Sequence, residues 1–243
     1  MKQRKKIHRI FINTIFSNDT VTCSIELSHR IMNVLRIKEN DELIVFNNKK
    51  EQYLCSVRYE NKMVILLLKD KLILKTSKEK NISLAVSIVS LNVMDLIIQK
   101  SVELNVNNFY PVYSNRSQYK NIQNKITHWE KIIVHATEQS GRCELMNIHT
   151  PLPLNKYLQN NSEGPRYFLH QNGKPFTHDE LSNNSLSFFI GPEGGYDDEE
   201  IDTFRINKWK MKKISGNILR TETACISVAT LINNYESFSR HSL

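Results

Sequence analysis

Short apolar runs bounded by turn signals dominate the first third of the chain, the pattern of half-buried strands. They predict strands near Arg9–Asn13, Val21–Glu26, Glu42–Asn47, Tyr53–Tyr59 and Lys62–Lys69, with turn signals such as Asn47-Asn48 between them. One helical stripe interrupts them, Ile31, Val34 and Leu35, with Ser28 as its expected N-cap. A small, mostly antiparallel barrel or sandwich suits this pattern. The polar run Lys75–Lys80 marks the expected boundary, giving domains 1–75 and 76–243.

Beyond the boundary, strand and helix alternate. Ile82–Val89 reads as a buried β-branched strand, and Asn92 as the cap of a helix through Leu104 with Met94, Ile97, Ile98 and Val102 on one face. A short strand at Asn107–Val112, ending at Pro111, precedes an amphipathic helix over Ile126–Ser140, with Trp129, Ile132, Ile133 and Ala136 inward. Strands at Arg166–His170, Leu186–Ile190 and Met211–Ile214 follow, with helices at Asp197–Ile206 and Thr221–Tyr235. Such alternation predicts an α/β domain built on a mostly parallel sheet.

Composition narrows the class. The 243 residues are 40% hydrophobic and 24% charged, enough chain to bury a core. No apolar run approaches a membrane span, the longest being Met63–Leu68. The basic N-terminus lacks the apolar core of a secretory signal. Four scattered cysteines (Cys23, Cys55, Cys143, Cys225) include no CxxC pair, which speaks against a zinc site or a disulfide scaffold. A soluble, reduced, cytoplasmic protein without metal or membrane partner is expected. Residues 1–75 hold 15 Lys/Arg against 8 Asp/Glu, net +7, whereas residues 76–243 hold 18 against 17, net +1. That asymmetry suggests that the first module touches a polyanion through residues such as Lys5, Lys6 and Arg9, a solvated basic surface being the plain alternative.

Only seven glycines are present, and three of them, Gly191, Gly194 and Gly195, fall within five positions. They follow the apolar run Leu186–Ile190 and precede an acidic helix start, Asp197 to Glu200. In open α/β sheets this is where ligands settle, beyond the carboxyl ends of strands. The acids disfavour a phosphate there, and neither GxGxxG nor GxxxxGK[ST] is present. A neutral or cationic ligand held by backbone groups fits better. A second strand–loop–helix passage runs from Ile214 to Cys225, with Arg220 beside Thr221 and Thr223, and is the other candidate.

"GPEGG" at 191–195 followed by "ILRTETA" at 218–224 resembles the RsmE family of ribosomal RNA methyltransferases, within the SPOUT superfamily. His8-Arg9-Ile10-Phe11, His29 to Arg36, Lys100 to Leu104, Asn115-Arg116-Ser117 and Glu138 to Arg142 are similar to further family blocks, in family order, so the resemblance spans nearly the whole chain. It implies an α/β fold: a PUA-like β-barrel, then a SPOUT domain with a C-terminal deep trefoil knot. It implies S-adenosylmethionine as methyl donor, a homodimer, and methylation at N3 of one uridine in 16S rRNA of the small ribosomal subunit.

The implied cofactor residues are Leu169 and His170; Ile190 and Gly191 with Glu193, Gly194 and Gly195; Ile214, Ser215 and Gly216; and Ile218, Leu219, Thr223 and Ala224. Arg220 is the expected stabiliser of charge on the base, and Glu193 or Glu222 could instead serve as a general base. Lys5, Lys6, Arg9, Arg36, Arg116 and Arg142 are the expected RNA contacts. Positions commonly Gly in the family are Asn40, Asn48 and Asn105 here, and asparagine is the residue best able to replace Gly in left-handed turns. The family's LGxR aligns with Ile214-Ser215-Gly216-Asn217, its glycine moved by one and its arginine missing.

Other constellations read as structural. His128 and His135 lie seven apart without a third ligand, Cys225 falls in an apolar helix, and Phe11, Phe16, Tyr53 and Tyr59 suit core packing. The rival functions are a non-catalytic RNA-binding or ribosome-assembly protein with a degenerate SPOUT domain, and a SPOUT enzyme acting on a different RNA.

Overall fold

The structure, a computed structural model, describes residues 7–13, 16, 19–73, 80–119, 122–159 and 164–239, with side chains described as far as residue 234. The chain divides into two compact units, Met1–Ser77 with Thr137–Glu144, and Lys78–Ala136 with Leu145–Leu243. Most of the polar run 75–80 and both Lys5 and Lys6 lie outside the described residues.

In the first unit, β1 (His8–Phe11), β2 (Thr20–Thr22), β3 (Glu42–Phe46), β4 (Gln52–Glu60) and β5 (Met63–Leu72) form one sheet in the order β1-β3-β4-β5-β2. β1 runs parallel to β3 and the other pairs are antiparallel. Ile10, Leu43, Val45, Cys55, Val57, Val64 and Leu66 form its core, each at most 2% exposed.

The expected strand Val21–Glu26 is cut short. β2 ends at Thr22, and Ser24 caps α1 (Ile25–His29), its side chain accepting from the Leu27 amide at 3.2 Å. Ser28, the expected cap, is instead buried within α1, where its Oγ accepts from the Val64 amide of β5 at 3.0 Å. A wider π-type turn over Arg30–Val34 continues the helix, and Val34 stands 65% exposed rather than on the apolar face. Asn40 and Asn105 do adopt positive φ, 66° and 56°, but in the β3–β4 turn it is Lys50 rather than Asn48 that does so, at 60°.

In the second unit, β6 (Asn81–Ser87), β7 (Asn108–Tyr113), β8 (Asn147–Ile148), β10 (Arg166–Pro175), β11 (Ser185–Ile190) and β12 (Lys210–Lys213) make a parallel sheet in the order β12-β10-β11-β6-β7-β8, with β9 (Leu152–Pro153) beside β7. Successive strand residues point to opposite faces. Leu84, Val86, Phe188 and Ile190 therefore meet α2 (Leu91–Glu103), α3 (Ile126–Ser140) and α7 (Thr221–Ser239) in one apolar cluster. Ala85, Phe168 and Phe189 meet α4 (Leu154–Gln159) and α6 (Asp198–Ile206) in another, rich in aromatic rings. α5 (His178–Leu181) is a single turn. Asn92 lies inside α2, which starts one residue before it and follows Ser90.

From β6 the chain steps to β7 on one side, then returns to place β11 between β6 and β10 on the other. The carboxyl ends at such a reversal are the natural ligand site of an open α/β sheet.

Candidate active site

The first wall of the site is the turn leaving β11. The Gly195 amide donates to the Pro192 carbonyl at 2.9 Å, and Gly195 sits at φ +68°, where a side chain would be strained. A Cβ on Gly191 would stand 2.7 Å from the ring of Tyr196, so this glycine lets the ring pack beneath the turn. The turn ends at Asp197, whose side chain accepts from the Glu200 amide at 2.9 Å, while Glu200 returns a bond to the Asp197 amide. The acids at this helix start thus satisfy its free N–H groups.

The second wall is residues 214–220, between β12 and α7. The Asn217 amide donates to Ser215 Oγ at 3.0 Å. At the start of α7, Thr221 is 3% exposed and its Oγ1 donates to the Gly191 carbonyl oxygen at 3.0 Å. Two passages 30 residues apart are joined at this bond.

A third wall comes from β10. Leu169 and Lys174 both pair with Lys212 of β12, so residues 170–173 bulge out of the ladder. Gly173 permits the bulge, since a Cβ there would lie 2.4 Å from the Lys212 backbone. His170 on this bulge accepts from the Asn172 amide at Nδ1, at 3.2 Å, which leaves the neutral ring's proton on Nε2. Partial burial holds its pKa below the usual histidine value.

Together these walls enclose a cavity of about 280 Å3. It brings together Leu169, His170, Ile190, Gly191, Glu193, Gly194, Gly195, Ile214, Ser215, Ile218, Leu219 and Ala224 of the sequence-expected set. Gly216 and Thr223 are exposed and do not line it, a correction that follows from the loop's path. Thr221 lines it from the second candidate passage, and Gln171, Pro192, Tyr196, Lys213 and Asn217 line it without having been named as cofactor residues. The missing signal for Gln171 was Gly173. Ile218 is 82% exposed beside the cavity, an apolar surface in a position for a bound molecule to cover.

Of the expected reactive groups, Arg220 is exposed, next to Thr221. Glu193 Oε2 accepts from Gln118 Nε2 at 3.3 Å. Glu222 is half-buried, and its Oε2 is buried with no hydrogen-bond partner. Cys225 is 2% exposed and burial pushes its thiol pKa up, so it packs as a small hydrophobe.

The expected RNA contacts separate. Arg36 is exposed at φ 53°, and Arg116 is exposed with its Nη1 donating to the Gly194 carbonyl. Arg9 is half-buried and donates to Gln52 Oε1 at 3.2 Å and to the Arg142 carbonyl at 2.9 Å, over the Phe46 ring. Arg142 is 9% exposed, its guanidinium 4.0 Å from Glu144. Phosphate docking needs an accessible cation, and Arg142 exposes little of its surface. Glu138 accepts from the Phe11 amide at 3.0 Å and pairs with Arg30. Phe11 tilts against Phe46 and Phe16 against Tyr53, as core rings do. His128 finds a carboxylate the sequence did not suggest, Asp95, at 2.8 Å, and the same carboxylate accepts from Trp129 Nε1. Among the described residues no group of three or more His, Cys, Asp or Glu could hold a metal ion, and no helix is long and apolar enough to cross a membrane.

Comparison with known proteins agrees with this geometry. An RNA methyltransferase domain profile matches residues 76–233, and an RNA methyltransferase PUA domain profile matches residues 28–63. The chain is 30% identical over 240 residues to ribosomal RNA small subunit methyltransferase E of Buchnera aphidicola subsp. Schizaphis graminum, covering 94% of this chain and 96% of that one. It is 31% identical over 210 residues to the protein of the same name from Aquifex aeolicus, covering 83% and 89%. A crystal structure of ribosomal RNA small subunit methyltransferase E from Neisseria gonorrhoeae, bound to S-adenosyl methionine, superposes with a TM-score of 0.86 at 26% identity over 95% of this chain and 98% of that one. With its paired sheet-end loops and a matching relative along nearly its full length, the chain belongs to the RNA methyltransferase family that includes ribosomal RNA small subunit methyltransferase E.

Proposed function

We propose that this protein transfers a methyl group from S-adenosylmethionine to N3 of a uridine in 16S rRNA of the small ribosomal subunit. The observation that carries this reading is the Thr221–Gly191 bond, which ties the two sheet-end loops around one cavity. The cavity suits the cofactor: Leu169, Ile190, Ile214 and Leu219 offer apolar walls for a purine, Ile218 offers an uncovered face, and no neighbour stands within 4 Å of the Cβ direction of Gly195. When bound, the cofactor would supply an electrophilic methyl on a sulfonium.

Uridine N3 carries a proton well above neutral pKa, so the chain must favour its loss. Arg220, exposed just before α7 and next to the cavity-lining Thr221, would stabilise the negative charge that develops on the base. Glu193, which lines the cavity with its Oε2 accepting from Gln118, and Glu222, whose buried Oε2 has no hydrogen-bond partner among the described residues, are the two candidate proton acceptors. Holding nucleophile and methyl in line supplies the rest.

The same reading assigns residues 1–75 to a small PUA-like β-barrel and 76–243 to a SPOUT domain knotted near its C-terminus, working as a cytoplasmic homodimer. Exposed Arg36, with Lys5 and Lys6, would face RNA. The test is incubation of undermethylated small subunits with the protein and S-adenosylmethionine, then mapping of modified uridines. One 3-methyluridine in 16S rRNA is expected. No methylation, with RNA binding intact, would favour the non-catalytic assembly protein, and methylation elsewhere would favour a different RNA target.

A further inference from the structure

The loop between β7 and α3 touches the glycine turn at several points. The Asn115 amide donates to Glu200 Oε1 at 2.8 Å, and Asn115 Nδ2 donates to Asp197 Oδ2 at 2.7 Å. That second bond is the foremost cause holding the Asp197 carboxyl below its usual range. Arg116 Nη1 donates to the Gly194 carbonyl, and Gln118 Nε2 to Glu193 Oε2 at 3.3 Å. Three residues of one short loop thus hold four residues of another.

The gripping loop is itself fixed. The Ser114 amide donates to Ser117 Oγ at 2.9 Å, the Ser117 amide to the Ser114 carbonyl at 3.1 Å, and the Gln118 amide to the Ile88 carbonyl beyond β6 at 3.1 Å. A strand-end loop anchored to the central strand can transmit its position to the turn that it holds. At the turn, Arg116 fixes the oxygen side of the Gly194–Gly195 peptide, while the Gly195 amide on its other side is held by Pro192. Both directions of that peptide are then set. The contact is close: a Cβ on Gly194 would lie 3.2 Å from Arg116 Cδ, so glycine admits the arginine stem.

We propose that Arg116, with Asn115, is a positioning residue that presets the glycine turn for the cofactor, rather than an RNA-docking cation. The proposal rests on the assignment of that cavity to S-adenosylmethionine. An arginine whose Nη1 is engaged with a backbone carbonyl of its own domain has less to offer a phosphate. Its charge also suits the place, since the turn runs into the acids Asp197 to Glu200.

Arg116→Met keeps the stem and removes the donors, while Arg116→Lys keeps one donor. Calorimetric titration of the full chain with S-adenosylmethionine should show about tenfold weaker binding for R116M, the worth of one charge-assisted hydrogen bond, and a loss of no more than about threefold for R116K. In methylation assays the loss should appear in KM for the cofactor with kcat little changed, at an unaltered melting temperature. Small-subunit binding and its salt slope should match the unsubstituted protein. Unchanged cofactor affinity together with weaker subunit binding and a shallower salt slope would overturn the proposal in favour of RNA docking. If the unsubstituted protein takes up no S-adenosylmethionine, the cofactor assignment fails by itself. Hydrogen exchange at the Gly195 amide then decides the brace: faster exchange in R116M supports it, and unchanged exchange overturns it.

Discussion

The hydroxyl of Thr221 donates to the carbonyl oxygen of Gly191 at 3.0 Å, between the first residue of α7 and the first residue after β11. Thr221 is 3% exposed, so water does not readily replace a partner lost there. Thr221→Val keeps the shape and removes the donor. It should lower stability by about 1–3 kcal/mol in urea unfolding, the cost of an unsatisfied buried carbonyl, while Thr221→Ser should lose less. Equal stability in all three proteins would show that the bond does not hold the loops.

Gly191 and Tyr196 are coupled by shape. Gly191→Ala puts a Cβ 2.7 Å from the buried Tyr196 ring, so the turn or the ring must move. Cofactor binding should weaken more than stability falls. Combined with Tyr196→Leu, which vacates the space, Gly191→Ala should cost less than it does alone, a non-additivity of about 0.5–3 kcal/mol in a double-mutant cycle.

Arg220 tests chemistry apart from folding. Because it is exposed, Arg220→Ala should leave stability within about 0.5 kcal/mol. Single-turnover methylation of undermethylated subunits should nonetheless slow by roughly 10²-fold or more, as when a transition-state donor is removed, with partial recovery in Arg220→Lys. Wild-type rates in both would remove Arg220 from the chemistry.

Two histidines give the protein an acid-side weakness. Burial lowers the pKa of both His149 and His170 below the usual histidine value. The unfolded chain therefore binds more protons than the folded one just below that value, and stability is lost as pH falls through it toward the folded values. Unfolding free energy should decline from pH 7 to pH 5, and His149→Gln together with His170→Gln should flatten that decline. An equally steep decline in the double variant would place the linkage elsewhere.

Much of the second unit was legible because its longer helices are amphipathic and its central strands are continuous apolar runs. Ile126–Ser140 coincides with α3, and Thr221, Leu186–Ile190 and the glycine turn fall where the alternation of strand and helix puts them. In the first unit, Ser28 has the chemistry of a cap, yet its Oγ is taken by the Val64 amide of β5 and Ser24 caps α1 instead. Asn48 and Lys50 show the same limit, since the turn geometry rather than residue preference selects the left-handed position. At the site, the glycines pointed to the right loops. Tyr196 and the bulge at 170–173 depend on what packs against them, the Gly191 backbone and the Lys212 backbone, and no local pattern encodes those neighbours. Arg9 reads as an RNA ligand from its basic stretch and Arg142 from its family block, yet Arg9 faces Gln52 and Phe46 and Arg142 faces Glu144.

Amide hydrogen exchange with and without S-adenosylmethionine tests most directly whether the two loops form one cofactor site. The account predicts that saturating cofactor slows exchange in residues 191–196 and in residues 214–221 together, at the same half-saturating concentration. Protection confined to one loop, or no change in either, would contradict it.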